Sequence, residues 1–216
     1  MSAELNLNTV NNRRLRLGIF GGTFDPIHNA HIRLALAAKD EYNLDRVHIL
    51  VSGQPPHKLN KEKTADNLRF EMARLACISK NGLIADDYEI KHQGIDYTYL
   101  TLQHFNKEYP DADIYFIIGE DSLFDIEKWK KPEIILSIAG ILVAKRQGGN
   151  YSTDILDRIE YLNKKYNAKI DFISSKIDFI SSTMIREKLK YGLRCDDFIP
   201  KKVMDFINEK GLYKDV

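Results

Sequence analysis

The feature that most constrains this chain is the recurrence of short apolar runs rich in β-branched residues. They lie at residues 15–20 (LRLGIF), 47–51 (VHILV), 113–119 (DIYFIIG) and 140–144 (GILVA). Runs that are apolar along their whole length, rather than at alternate positions, are strands covered on both faces, which demands helices crossing over a parallel sheet. The segments between them supply those helices. Residues 32–42 (IRLALAAKDEY), 68–78 (LRFEMARLACI) and 98–109 (TYLTLQHFNKEY) return an apolar residue every three or four positions, the period of a helix with one buried face. The predicted order is strand, helix, strand, long loop, helix, short strands, helix, strand, helix, strand, helix, then a helical C-terminal segment from about Ser182. This is an α/β chain with a doubly wound, mostly parallel sheet. Residues 13–216 are expected to form a single domain, and residues 1–12, rich in Asn and without apolar period, a flexible leader.

Composition narrows the function classes. With 32 Lys and Arg against 31 Asp and Glu, the formal net charge is +1, without the excess of one sign that nucleic-acid binding demands. No apolar run approaches the roughly 20 residues that span a bilayer, and the first residues do not read as a signal peptide, so no membrane partner is expected. The two cysteines, Cys77 and Cys195, form neither a CxxC pair nor a disulfide framework, and a reducing cytoplasm is the compartment they fit. Composition leaves homo-oligomerisation open.

The first run delivers the chain into Gly21-Gly22-Thr23-Phe24-Asp25-Pro26-Ile27-His28-Asn29-Ala30-His31. Two glycines at the carboxyl end of a strand allow a sharp turn and bring backbone N–H groups close to a ligand. Asp25 suits an N-cap and Pro26 the first helical position, so a helix is predicted from about Pro26. His28 and His31, three residues apart, then share a face of its first turn and point to the end of the sheet where open α/β folds bind ligands. A helix N-terminus carries about half a positive charge, and two imidazoles beside it can donate to phosphoryl oxygens. An HxxH pair alone is more often a surface pair or a metal site; the strand and glycines ahead of it point to phosphate.

Near the other end, Ile180-Ser181-Ser182-Thr183-Met184-Ile185-Arg186 places three hydroxyl residues before a second amphipathic helix. Its capped N-terminus again offers free N–H groups to an anion, and Arg186, three residues beyond Thr183, converges on the same spot. The preceding heptapeptide KIDFISS occurs twice in tandem, at 169–175 and 176–182, and only the second copy runs into this helix start. Gly119-Glu120-Asp121 closes another strand, where a carboxylate either receives ribose hydroxyls or caps a helix; position alone leaves both open. Pro55-Pro56-His57-Lys58 is a stiff loop that offers Lys58 as a flexible point charge. Trp129, the only tryptophan, is either a packing anchor or an indole face for a cationic ring.

GGTFDPIHNAH resembles the signature of the nucleotidyltransferase superfamily with the (H/T)xGH motif, with Ala30 where that motif has Gly, and GGTFDPIH resembles the bacterial nicotinate-nucleotide adenylyltransferases. ISSTxIR at 180–186 resembles the second signature of that family, and the likeness extends from about Leu17 to INEKGLY at 207–213. The resemblance implies a Rossmann-like nucleotidyltransferase fold and transfer of the adenylyl group of ATP to the 5′-phosphate of nicotinate mononucleotide, in NAD biosynthesis. It also implies roles. His28, His31 and Arg186 would be catalytic, while Gly21, Gly22, Thr23, Phe24, Gly119, Asp121, Arg146, Ser182 and Thr183 would bind ATP. Lys58, Tyr97, Thr98 and Trp129 would bind the acceptor, with Gly53 standing where some members carry Asn.

The chemistry so implied needs no protein nucleophile, because a phosphate monoester with its second pKa near 6 is already mostly dianionic at pH 7. The difficulty is charge, since ATP and acceptor bring roughly six negative charges into one cleft. The expected answer is two helix N-termini, His28, His31, Lys58, Arg146, Arg186 and a Mg²⁺ held mainly by the triphosphate rather than by protein side chains. Rival readings are the same chemistry on nicotinamide mononucleotide or phosphopantetheine, and a nucleotide-sensing module without turnover. A Rossmann dehydrogenase is disfavoured because no GxGxxG follows any strand.

Overall fold

A computed structural model describes residues 9–10, 13–56, 63–92, 94–144, 153–175 and 180–214. Lys58 and Arg146, both named above, lie outside the described residues, as does 176–179 of the second KIDFISS copy. The described chain runs β1 (Thr9–Val10), β2 (Arg13–Arg14), β3 (Arg16–Gly22), α1 (Asn29–Glu41), β4 (Arg46–Val51), α2 (Asp66–Cys77), β5 (Leu83–Asp86) and α3 (Tyr88–Lys91). It continues with α4 (Thr98–Glu108), β6 (Asp113–Gly119), α5 (Glu120–Asp125), a 3₁₀ turn (Ile126–Lys128), α6 (Pro132–Ile138), β7 (Ala139–Ala144), α7 (Thr153–Tyr166), β8 (Ile170–Ile173), α8 (Ser182–Lys190) and α9 (Lys201–Lys210).

Among the described residues, six strands form one parallel sheet in the order β5-β4-β3-β6-β7-β8, while β1 and β2 pair antiparallel as a separate ribbon. Side chains along each strand alternate between two cores. Phe20, Val47, Ile49, Val51, Ile117, Leu142 and Ile173 face one core, packed by α1, α2, α8 and α9. Ile19, Leu50, Phe116, Ile118, Ile141 and Val143 face the other, packed by α4 to α7. Both faces are covered, which is why these strands read as unbroken apolar runs.

The order also locates a site. The chain winds outward from β3 through β4 to β5, then returns to β6 and winds the opposite way to β8, so the switch point lies between β3 and β6. The ladder between those strands runs from Arg16↔Asp113 to Ile19↔Phe116. Beyond it each stays paired only with its outer neighbour, to Gly22↔Val51 and Gly119↔Ala144. The sheet therefore parts at the carboxyl ends of β3 and β6.

Two expectations are corrected. The helix after the glycine turn begins at Asn29, not Pro26, with His28 as N-cap in extended conformation (φ −142°, ψ 172°). Asp25 cannot cap it because its carboxylate is already taken, accepting the Thr64 backbone N–H at 3.2 Å and the Tyr213 hydroxyl at 2.6 Å. The stretch expected to hold short strands between α2 and α4 holds one strand, β5, followed by the single-turn helix α3, whose start Asp86 fixes by accepting the Tyr88 N–H at 2.9 Å.

The KIDFISS copies have different fates. In the first, Ile170–Ile173 is edge strand β8, and Ser174 and Ser175 donate backbone and hydroxyl groups to the Glu41 carboxylate at the end of α1. In the second, Ser181 caps α8, its hydroxyl accepting the Met184 N–H at 3.1 Å.

Candidate active site

At the carboxyl end of β3, Phe20 to Asp25, His31, Lys63, Ser182, Thr183 and Arg186 line a cleft of about 370 Å³. The glycine-doublet turn and the start of α8, 160 residues apart in sequence, thus form opposite walls of one space. They are bolted together directly. The Ser182 hydroxyl donates to the Pro26 carbonyl at 2.9 Å, and the Arg186 guanidinium donates to the Asp25 carbonyl at 2.7 Å and to Thr183 Oγ1 at 3.4 Å. With the Ser182 hydroxyl so engaged, what remains to meet an anion at that wall is the backbone N–H groups of the α8 N-terminus, the Thr183 hydroxyl and Arg186.

On the first wall Phe24 adopts φ 48°, a left-handed conformation that costs a non-glycine residue about 1 kcal/mol or more. The surroundings hold it there: its ring lies edge-on to Phe20 at 5.5 Å and to His31 at 5.0 Å. A Cβ on Gly22 would sit 2.8 Å from that ring, so only glycine permits this packing. The His31 imidazole is also stacked on His28 at 3.6 Å between centroids, and its Nδ1 accepts the His28 backbone N–H at 3.3 Å. A neutral imidazole has one proton, so engagement of Nδ1 as acceptor assigns it to Nε2, leaving an oriented donor. Burial, followed by the positive charge of Arg33, lowers the His28 pKa to about 4; burial, followed by His28, takes that of His31 well below its ordinary value. Both rings are neutral donors at pH 7. His31 lines the cleft, whereas His28 is 3% exposed and stands behind it, its Nδ1 buried without a partner among the described residues.

The residues named for ribose and acceptor fall beside this cleft rather than in its wall. Gly119 ends β6 and caps α5, and Asp121 is an exposed residue of that helix's first turn, not its cap. Tyr97 is the N-cap of α4 and Thr98 its first residue. The Trp129 segment lies against them, with Lys130 Nζ over the Tyr97 ring at 4.2 Å and Lys131 Nζ over Tyr99 at 4.8 Å. Trp129 packs edge-on to Phe116 at 6.2 Å, and Phe116 underlies Gly21, so the indole and the glycine turn share one support.

Three functional groups escaped the sequence reading. Lys63 lines the cleft, bonding the Gly53 carbonyl and pairing with Asp66 at 3.0 Å. Arg69, wholly buried, donates to the carbonyls of Thr23, Ser52 and Thr64, tying the glycine turn to the loop after β4. A signal for it existed, since Arg69 falls on the same stripe of α2 as Met72, Ala73 and Ala76, a cation where the period demands an apolar residue. Asp96, also buried, accepts the Gln54 N–H and fixes the same loop from the acceptor side, beside Glu89, which bonds the Thr101 hydroxyl at 2.7 Å. Gly53 fits between them because a Cβ there would lie 2.6 Å from the Glu89 carbonyl oxygen. Burial, opposed by the Thr101 hydroxyl and reinforced by Asp96 and Asp86, pushes Glu89 up to about 7.

A family model described as cytidylyltransferase-like matches residues 19–188, from within β3 into α8. A protein of Clostridium acetobutylicum named "probable nicotinate-nucleotide adenylyltransferase" is 44% identical over 195 residues, covering 90% of this chain and 97% of its own. One of Clostridium botulinum with the same name is 41% identical over 200 residues, covering 93% and 98%. The chain belongs to this family. The nicotinate-nucleotide adenylyltransferase fold is likewise that of the Plasmodium falciparum nicotinic acid mononucleotide adenylyltransferase solved as a complex with NaAD. Its TM-score is 0.74 at 23% identity, over 93% of this chain and 98% of that one. As a nicotinate-nucleotide adenylyltransferase the chain keeps both signature turns on one cleft, and Ala30 is buried in the first turn of α1. Among the described residues no helix is long and apolar enough to cross a membrane.

Proposed function

We propose that this nicotinate-nucleotide adenylyltransferase works by gripping the triphosphate of ATP between its two turns, while the 5′-phosphate of nicotinate mononucleotide attacks the α-phosphorus. The single observation that carries this reading is the shared cleft, walled on one side by Gly21 to Asp25 and His31 and on the other by Ser182, Thr183 and Arg186. Its donors are amide N–H groups, hydroxyls, an imidazole, a guanidinium and an ammonium, a set that matches oxyanions.

An oxygen of the acceptor phosphate forms the new bond to the α-phosphorus as the bond from that phosphorus to the bridging oxygen breaks. Pyrophosphate departs with the electron pair, and nicotinate adenine dinucleotide remains. No proton need move in this step. The protein contributes orientation and stabilisation of charge growing on the α-phosphoryl and bridging oxygens. His31 Nε2–H is the donor we assign to those oxygens, with His28 holding the ring that bears it. Arg186 and the α8 N-terminus take the β- and γ-phosphates, and Lys63 adds a positive charge from the loop side. Gly119 and Asp121 receive the adenosine ribose, and Tyr97, Thr98 and Trp129 the nicotinate ring and its carboxylate. Lys58 and Arg146 complete the cationic set.

Mg²⁺ would be held mainly by the triphosphate, where it would offset charge on the nucleotide. The cytoplasm is the proposed compartment, and the two buried free thiols suit a reducing one.

The test is an acceptor panel: ATP with nicotinate mononucleotide, nicotinamide mononucleotide or phosphopantetheine, with pyrophosphate release as the readout. The largest kcat/KM is expected with nicotinate mononucleotide. Faster release with either other acceptor reassigns the substrate, and none with any of the three makes the chain a nucleotide-sensing module.

A further inference from the structure

The ending at 207–213, INEKGLY, carries part of the family likeness yet has no task in the reaction above. Helix α9 stops at Gly211 (φ 62°), and Tyr213 (φ 63°) then turns back onto the body of the protein. Its hydroxyl donates to Asp25 Oδ1 at 2.6 Å, across 188 positions of sequence, and lies 3.9 Å from Met72 Sδ. Asp25 is 7% exposed and lines the cleft. Its second carboxylate oxygen accepts the Thr64 N–H at 3.2 Å, and its main-chain carbonyl accepts Arg186 at 2.7 Å.

A carboxylate in the wall of a cleft that takes up roughly four negative charges of ATP is a liability unless its own charge is met by donors and directed away. The backbone carbonyl of the same residue fixes the guanidinium on the opposite wall, so the way Asp25 is held bears on both walls. We propose that Tyr213 is a positioning residue for the triphosphate: by donating to Asp25 it turns that carboxylate out of the cleft and holds the Asp25 carbonyl where Arg186 binds it. Burial first, and then the facing carboxylate, raise the Tyr213 pKa, so the hydroxyl keeps its proton and acts only as a donor. The groups facing it are Asp25, the Thr64 segment, Met72 and, more distantly, Arg186. The C-terminal segment therefore acts as a clasp on the first signature turn.

The inference rests on ATP as the occupant of the cleft, and its test reads ATP binding alone, without acceptor. Tyr213→Phe keeps the ring and removes the donor. Calorimetric titration with Mg·ATP is expected to show about tenfold weaker binding, the scale of one hydrogen bond to a charged group. The KM for nicotinate mononucleotide should stay within about twofold and the thermal midpoint within a few degrees. In an Asp25→Asn background, where no carboxylate charge remains to be met, Tyr213→Phe should change ATP affinity less than about twofold. Unchanged ATP affinity in Tyr213→Phe would overturn the inference and leave the proposed reaction standing. So would a tenfold loss that persists in the Asp25→Asn background, or an equal rise in both substrates' constants, which marks a structural role. Wild-type protein that binds no ATP would overturn the nucleotide reading itself and the inference with it.

Discussion

Replacement of His31 is the perturbation for which the structure gives the sharpest expectation. Its Nδ1 is committed to the His28 backbone N–H at 3.3 Å, and its ring is held by Phe24, Phe20 and the stacked His28. In the proposed reaction the transition state would then meet one preorganised Nε2–H in a partly buried wall. Loss of one such donor costs about 2.7–4 kcal/mol, or about 10²–10³ in kcat. Two substitutions separate donor from scaffold. His31→Asn places a carbonyl near the Nδ1 position, keeping the acceptor for the His28 N–H, but has nothing at Nε2. His31→Gln places an amide N–H near Nε2. Pyrophosphate release at saturating substrates should show kcat reduced about 10²–10³ in His31→Asn and about tenfold or less in His31→Gln, with the ATP KM nearly constant in both. The reasoning fails if His31→Asn turns over within about fivefold of wild type, or if the loss lies in the ATP KM while kcat holds.

Trp129→Ala should raise the KM for nicotinate mononucleotide about tenfold, the scale of a ring face lost to a cation, and leave the ATP KM within about twofold in the same steady-state assay. Arg69→Lys should lower stability by about 2–3 kcal/mol in urea unfolding, because a single ammonium cannot replace a planar fork that serves the carbonyls of Thr23, Ser52 and Thr64; a change below about 0.5 kcal/mol would rule out that role. Glu89 and His28 act oppositely on stability between pH 4 and 7. Glu89, raised to about 7, favours the folded state increasingly as pH falls from 7 to its unfolded value of 4.5, whereas His28, lowered to about 4, disfavours it as pH falls from 6.5 to 4. Glu89→Gln removes the first slope, so its stability relative to wild type should rise by about 2.5 kcal/mol between pH 5 and pH 8, measured by unfolding at each pH. A pH-independent difference would contradict the buried, raised carboxyl.

What the sequence made legible is what local chemistry decides. Apolar runs without alternation marked strands covered on both faces, and all four begin or end within two residues of β3, β4, β6 and β7. The glycine doublet at the end of β3 and the Ser-Ser-Thr start of α8 were readable because turns and caps depend on residue type within a few positions. The start of α1 was not, because Asp25 was claimed by Thr64 and Tyr213, partners that only the tertiary fold supplies. Arg69 showed as a break in the apolar stripe of α2, but besides the Asp66 carboxylate three residues before it, its acceptors are three carbonyls from two separate loops, which no spacing rule connects. Lys63 was one lysine among several in residues 57–63, and only the turn into α2 brings it to the cleft wall. The duplicated KIDFISS makes the same point at its serines: Ser174 and Ser175 of the first copy bond the Glu41 carboxylate, whereas Ser181 of the second caps α8, and neighbours decide which.

The central claim is that both signature turns hold one triphosphate, and a crystal structure of the protein with a non-hydrolysable ATP analogue and Mg²⁺ tests it most directly. The account predicts the α-phosphate about 3 Å from His31 Nε2, and the β- and γ-phosphates at similar distances from Arg186 and the N–H groups that open α8. A triphosphate bound against the Gly22 turn alone, with the α8 N-terminus bare, would contradict it.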